Sequence, residues 1–257
     1  ARGKRRLRVK AGFDPTAILQ STEAVLALAR ATSTDLPRAT EIAGAALRGF
    51  NLPASEMGRV SDVLTATANK SAQTLEDLFE AFKPVAPIAA EAGESMEDVA
   101  AAIGILANNG IKGSLAGNAL ARAYKNLSSS SAQDELRKFG VEAVDASGNL
   151  RPLADIINDL AKATQGLGTA ERLSIFETLF GRGQAAALKL ASSGTAFDTL
   201  RDEIRAAAGI AVKTAEEMDA GVGGAFRKLL SAVEGVAIAI GEAIEGPVRK
   251  VADVLAI

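Results

Sequence analysis

The sequence predicts an all-α fold built as an array of short and medium helices. Hydrophobic residues make up 48% of the 257-residue chain but aromatic residues only 4%, so alanine and leucine must supply most of the buried surface. Apolar residues recur every three or four positions in successive segments, which is the spacing of one helix face. Glycine, proline, serine and threonine separate these segments as they do at helix ends.

Four helices are predicted in the first ninety residues. Proline after a capping residue favours a helix start, and Thr74 with Asp77 has the spacing of a capping box. Pro84 and Pro87 are expected to kink or split the fourth helix, because each lacks an N–H group and clashes with the preceding turn. The predicted helices are about 15–31, 37–49, 53–69 and one that begins after Thr74.

Residues 92–127 form the predicted centre of the fold, with two helices joined by a glycine turn. Ser95 and Asp98 favour the start of the first helix. The second helix is rich in glycine and alanine, and small residues let helix axes approach closely. Gly113, Gly117 and Ala119 are therefore predicted to allow tight helix packing.

Residues 141–150 are the only stretch with strand character, and they predict one small β-hairpin at most. Asp145, Ser147 and Asn149 resemble the start of a calcium loop, but the downstream glutamate is missing, so a plain turn is the prediction. Four helices follow a short one that ends at Gly140. They are predicted at about 152–164, 170–180, 183–191 and 196–208.

A G-x-G-x-x-A pattern begins at Gly181 and ends at Ala186. Dinucleotide binding by this pattern requires a preceding strand. The residues before it have helical spacing instead, so a helix end followed by a restart is predicted.

The C-terminal region is predicted to be a long amphipathic helix behind a flexible glycine joint at 221–224. Three glutamates fall on the side opposite its apolar stripe, which predicts an interface with a second copy or another partner. The stripe consists of Leu229, Val233, Val236, Ile240 and Ile244.

The predicted domains are a basic extension at 1–12, a helical core at 13–209, and the glycine-jointed helix at 210–257. Residues 1–10 contain six basic residues and no acid. They are predicted to be a solvated extension or a short edge strand, with a phosphate- or lipid-binding arm as the alternative. The remainder is acidic, which disfavours specific nucleic-acid binding.

The composition excludes most common reaction chemistries. The chain has no cysteine and no histidine, so it lacks a thiolate nucleophile, the commonest general base and the commonest metal ligand. We predict no catalytic residues, no cofactor and no metal. Two-carboxylate catalysis stays open in principle, because the chain has 31 acidic residues.

Four segments, in this order, resemble the core region of the tail tape measure proteins of tailed bacteriophages. The resemblance extends over about 15–244, without the basic first ten residues. The segments are RVSDVLTATANKSAQTLEDLFEAFKPVAPIAAEAG (59–93), AAIGILANNGIKGSLAGNAL (101–120), GVEAVDASGNLRPLADIINDLA (140–161) and IFETLFGRGQAAAL (175–188).

The resemblance implies a structural, non-enzymatic component of the virion that scaffolds tail assembly, helps set tail length and leaves at genome ejection. It implies a location in the tail lumen, and in the host cytoplasm during assembly. The implied partners are copies of the chain itself, in a trimer by analogy, the tail tube protein, tail tip or baseplate components and tail assembly chaperones.

Two alternatives remain at this stage. The amphipathic segment 229–244 would make the chain a membrane-active ejection module, with membrane contact at ejection. A minor alternative is a module associated with a cell-wall hydrolase, since two carboxylates suffice for glycosidase chemistry.

Overall fold

Helices supply nearly all regular structure in residues 15–220, which are the residues that the computed structural model describes. Short 3₁₀ turns at Ala54–Glu56 and Gly181–Gly183 precede α3 and α10. The all-α prediction is confirmed for this part of the chain. The helices are α1 (Pro15–Ala31), α2 (Leu36–Gly49), α3 (Met57–Lys70), α4 (Leu75–Glu91), α5 (Met96–Asn108), α6 (Gly113–Leu127), α7 (Ser130–Arg137), α8 (Leu153–Ala163), α9 (Thr169–Phe180), α10 (Gln184–Ala191), α11 (Thr195–Arg205) and α12 (Ile210–Ala220).

Side-chain caps fix several helix starts where the sequence predicts them. The Thr74 hydroxyl accepts the Asp77 N–H at 3.1 Å, and the Asp77 carboxylate accepts the Thr74 N–H at 3.0 Å. The Ser95 hydroxyl accepts the Asp98 N–H at 3.1 Å. Such caps satisfy N–H groups that have no partner within the helix, and the predicted starts of α4 and α5 are confirmed.

The two prolines do not split the fourth helix. α4 continues from Leu75 to Glu91 with Pro84 and Pro87 inside it, so the predicted split is wrong. Pro84 is half-buried and Pro87 is exposed. The carbonyl groups that lose an N–H partner belong to Glu80 and Lys83, which are also not buried. These residues therefore lie outside the core, where a carbonyl group without an N–H partner costs less than a buried one.

The predicted hairpin is reduced to one isolated antiparallel bridge, between Val144 and Leu150. The Asp145 carboxylate closes the turn by accepting the N–H groups of Ser147 at 2.8 Å and Asn149 at 2.9 Å. The hydrogen bond from Asn149 is the main reason that the Asp145 pKa is lowered. This geometry matches the predicted plain turn, because the carboxylate is used within the loop.

The core is one continuous cluster that extends from α1 to α11. α4 and α6 share the most extensive helix contact, and α2, α5 and α9 pack around this pair. Large side chains such as Leu106 and Phe176 are fully buried. α11 crosses α5 at Gly104, where an added Cβ would lie 2.8 Å from Leu200 Cδ2.

The helix α12 packs on α1 and α3. Its buried apolar residues belong to a separate cluster of four alanines, Ala27, Ala31, Ala211 and Ala215, while the partly buried Ile210 packs against the main core. The predicted division between 209 and 210 stays a prediction, because the chain after Ala220 lies outside the described residues.

Candidate functional site

The seam between α4 and α6 places helix backbones in direct contact at Gly117. This residue is buried, and a Cβ added to it would overlap the Ala81 carbonyl oxygen and lie 2.8 Å from Ala81 Cα. Real Cβ atoms do not approach backbone that closely, so only glycine fits while the two helices keep this distance.

The other two residues predicted for tight packing lie at either side of this contact. The Ala119 carbonyl oxygen would be 3.1 Å from a Cβ added to Gly183, so α6 also lies close to the 3₁₀ turn before α10. Gly113 has φ +54, and a Cβ there would make only ordinary contacts with Asp77 and Glu80 at 3.8 Å. At this position the backbone conformation, and not a close approach, favours glycine.

A small cleft of about 90 Å³ lies between α5, α8 and α11. Glu94 is at its base, where its carboxylate accepts the Leu153 N–H at 2.6 Å at the start of α8. Desolvation is the main cause that raises the pKa of Glu94, and the bond from Leu153 opposes it. Tyr124 also lines the cleft, and burial is the main cause that raises the Tyr124 pKa well above its usual value, with the charge of Glu94 adding to the effect.

The other side of the cleft is an ion-pair network centred on Asp98. Its two carboxylate oxygens accept Arg205 Nη2 at 3.0 and 2.9 Å. Arg201 Nε lies 3.9 Å from Asp98 and 3.2 Å from Asp202, and Arg201 Nη1 pairs with Asp198 at 3.0 Å. The cleft therefore brings acids and arginines together as mutual partners, which ties α5 to α11.

The paired acids and arginines around the cleft are suited to holding neighbouring helices together. Among residues 15–220 no group of three or more carboxylates is placed to hold a metal ion. No helix in that range is long and apolar enough to cross a membrane. The residues 181–186 join α9 to α10 through a 3₁₀ turn, without the preceding strand that a dinucleotide site needs.

Several predicted features lie outside the described residues. They are the basic extension, the glycine joint at 221–224 and the interface stripe of Leu229, Val233, Val236, Ile240 and Ile244. These features stay predictions.

Comparison with known proteins identifies the family. The sequence model of phage-related minor tail proteins matches residues 7–181. The chain belongs to this family.

Two curated relatives of this chain carry similar descriptions. It is 34% identical over 246 residues to a tape measure protein of Pneumococcus phage Dp-1, and this match covers 94% of the chain. It is 30% identical over 257 residues to a probable tape measure protein of Escherichia phage P2, which covers 97% of the chain. The chain spans only 21% and 32% of the length of these two relatives. No solved structure is significantly similar to it.

Sequence reasoning missed the polar residues that join distant elements of the fold. The Asp62 carboxylate accepts the N–H groups of Gly209 at 2.8 Å and Ala211 at 3.0 Å, across 147 and 149 residues of sequence. Glu94 reaches Leu153 across 59 residues, and Asp98 reaches Arg205 across 107. No local pattern marks such a partner. The one sequence signal for any of these residues was that Asp98 lies in the first turn of α5, next to the capping residue Ser95.

Proposed function

We propose that this chain is the folded module of a tape measure protein, acting as a structural component of a phage tail. The observation that carries the proposal is the similarity to two tape measure proteins over 94% and 97% of the chain. The family model of phage-related minor tail proteins supports the same role independently. The absence of histidine and cysteine from the sequence favours a role that needs no enzymatic chemistry.

The described body organises tail assembly, and it does not itself span the tail. Its longest helices have 17 residues, which corresponds to about 26 Å at a rise of 1.5 Å per residue. These helices fold back on one another around a single core. A measuring function needs an extended element, so tail length would depend on other parts of the same protein.

The proposed partners follow from a position in the tail lumen. They are copies of the chain itself, the tail tube protein, tail tip or baseplate components and, in the host cytoplasm during assembly, the tail assembly chaperones. The copies associate through the stripe that begins at Leu229, with a trimer as the expected state. The chain leaves the virion with the genome at ejection.

An in-frame deletion of residues 15–220 in a phage that encodes this chain tests the role. Electron microscopy should show few complete tails, and any tails that form should keep the normal length, because the deleted body does not span the tail. The matched control is a phage carrying Gly58→Ala, an exposed position where an added Cβ meets nothing within 4 Å. Normal numbers of infectious, full-length tails from the deletion would overturn the proposal.

A further inference from the structure

The exposed side of α6 forms a basic surface, which we call the α6 basic face. It consists of Lys112, which precedes α6, Arg122 and Lys125 on the helix, and Arg182 in the neighbouring 3₁₀ turn. None of the four side chains is buried. α6 itself contains no acidic residue, so nothing on the helix balances these charges.

Arg182 belongs to a 3₁₀ turn that rests on α6. A Cβ added to Gly183 would be 3.1 Å from the Ala119 carbonyl oxygen, and one added to Gly181 would be 3.9 Å from Asn126 Nδ2. The turn that carries Arg182 therefore lies over the span 119–126. Like charges gathered on one surface repel each other in the isolated protein.

The four cations of this face differ from most of the others in the described residues. No carboxylate of residues 21–220 forms an ion pair with any of them, whereas most other lysine and arginine side chains in that range do form one. Leu115 lies on the same side of α6 and is 71% exposed, the highest exposure among the large apolar side chains described. Cations without an ion pair beside an exposed leucine are the composition of a docking surface.

We infer that the acidic side of residues 229–245 of this chain docks on the α6 basic face. Glu234, Glu242 and Glu245 are the only charged residues in that segment. In the helix that the sequence predicts they fall within one side, over about 16 Å at 1.5 Å per residue. Lys112 and Lys125 are about 20 Å apart by the same measure. The acidic side of this segment is therefore opposite in charge to the α6 basic face and similar to it in length.

The inference rests on the proposed function, because there the apolar stripe of the same segment joins copies of the chain. A helix whose apolar side faces other copies leaves its acidic side outward, where it is free to meet the folded bodies. The docking gives each body a fixed place around the joined helices.

Carbodiimide cross-linking of the full chain tests the docking without introducing new residues. The reagent joins a lysine amine to a carboxylate in direct contact. We expect linked peptides that join Lys112 or Lys125 to one of the three glutamates. Their yield should fall severalfold between about 0.1 M and about 1 M NaCl, because the screening length falls from about 10 Å to about 3 Å.

Charge reversal makes the test specific. Arg122→Glu with Arg182→Glu keeps both reactive lysines and should lower the yield of these links severalfold. Adding Glu234→Arg with Glu245→Arg should restore links to Glu242. The matched control reverses the charge of Lys189 on α10 and Lys213 on α12, neither of which forms an ion pair with a described residue. It should leave the yield of these links unchanged. Circular dichroism verifies that each variant is folded.

The outcomes separate this inference from the proposed function. Links confined to other carboxylates, or links that do not respond to the arginine reversal, overturn the docking even if sedimentation shows an oligomer. The expected links in a chain that sediments as a monomer support the docking and contradict the oligomer. If the reversal instead weakens binding to phosphatidylglycerol vesicles and the links are absent, the face binds a lipid surface and the inference is wrong.

Discussion

Gly117 is the residue at which the helix packing least tolerates an added side chain. Gly117→Ala should destabilise the fold by about 1–3 kcal/mol, because the added methyl group meets the backbone of Ala81 and the helices must separate. The measurement is urea unfolding followed by circular dichroism.

The matched control is the same substitution at Gly58, an exposed glycine in α3 with open space around its Cα. Gly58→Ala should stabilise the fold by about 0.5–1 kcal/mol, since alanine loses less backbone entropy on folding. Equal stability of the two variants would mean that α4 and α6 are not in close contact.

Glu94 should make stability depend on pH in an unusual direction for a carboxyl group. Its pKa is raised above the usual 4.5, first by desolvation, and Asp98 and Asp155 add to the effect. The folded protein therefore binds this proton more tightly than the unfolded chain. The stabilisation is complete below pH 4.5 and is lost as pH rises through the folded pKa.

Glu94→Gln keeps an acceptor for the Leu153 N–H and carries no charge. Its stability relative to the parent should therefore increase between about pH 4 and about pH 7. Glu76→Gln is the control with the opposite sign, because the bond from Arg38 lowers the Glu76 pKa. The contrary result in urea titrations is a difference in unfolding free energy between Glu94→Gln and the parent that does not change with pH. That result would show that burial of the Glu94 carboxylate is not costly.

At the scale of elements, α12 should open more easily than the rest of the fold. Its buried apolar contact is a cluster of four alanines, to which the partly buried Ile210 adds a contact with the main core. The N–H groups of Gly209 and Ala211 at its start depend on the Asp62 carboxylate. Asp62→Ala removes an interaction typical of a helix cap, which contributes about 0.5–2 kcal/mol. Hydrogen exchange of residues 210–220 should accelerate while that of α5 stays unchanged.

Asp134→Ala is the control for this variant, since Asp134 pairs only with Arg137 on its own helix. Exchange that accelerates equally in α5 and α12 would show that α12 opens only when the whole molecule unfolds.

The helices could be predicted from the sequence because their signals are local. Proline, the Thr74 capping box and the three-to-four residue spacing fix where a helix begins and which side is buried. The split of α4 at its prolines was predicted wrongly, because the exposure of Glu80 and Lys83 depends on neighbouring helices. The cleft at Glu94 and the Asp62 cap could not be predicted, since their partners come together only in the folded chain.

At the scale of the whole molecule, the apolar stripe of the C-terminal segment should decide the assembly state. Val233→Glu with Ile240→Glu would place unpaired charge in the seam between copies, at a cost of several kcal/mol. Sedimentation should show an oligomer for the parent, with a trimer expected, and a monomer of nearly unchanged helix content for the double variant. An unfolded double variant and a monomeric parent would place this stripe in the chain's own core.

The anchoring of α12 has a mechanical consequence. A pulling force applied to the chain after Ala220 reaches the pair of Arg30 and Asp219 first, then the alanine contacts, and the Asp62 carboxylate last. These contacts would break one after another, so α12 would peel away at low force while the main core stays intact. The undocking of α12 would therefore lengthen the folded body under tension, and α12 would dock again when the force is removed.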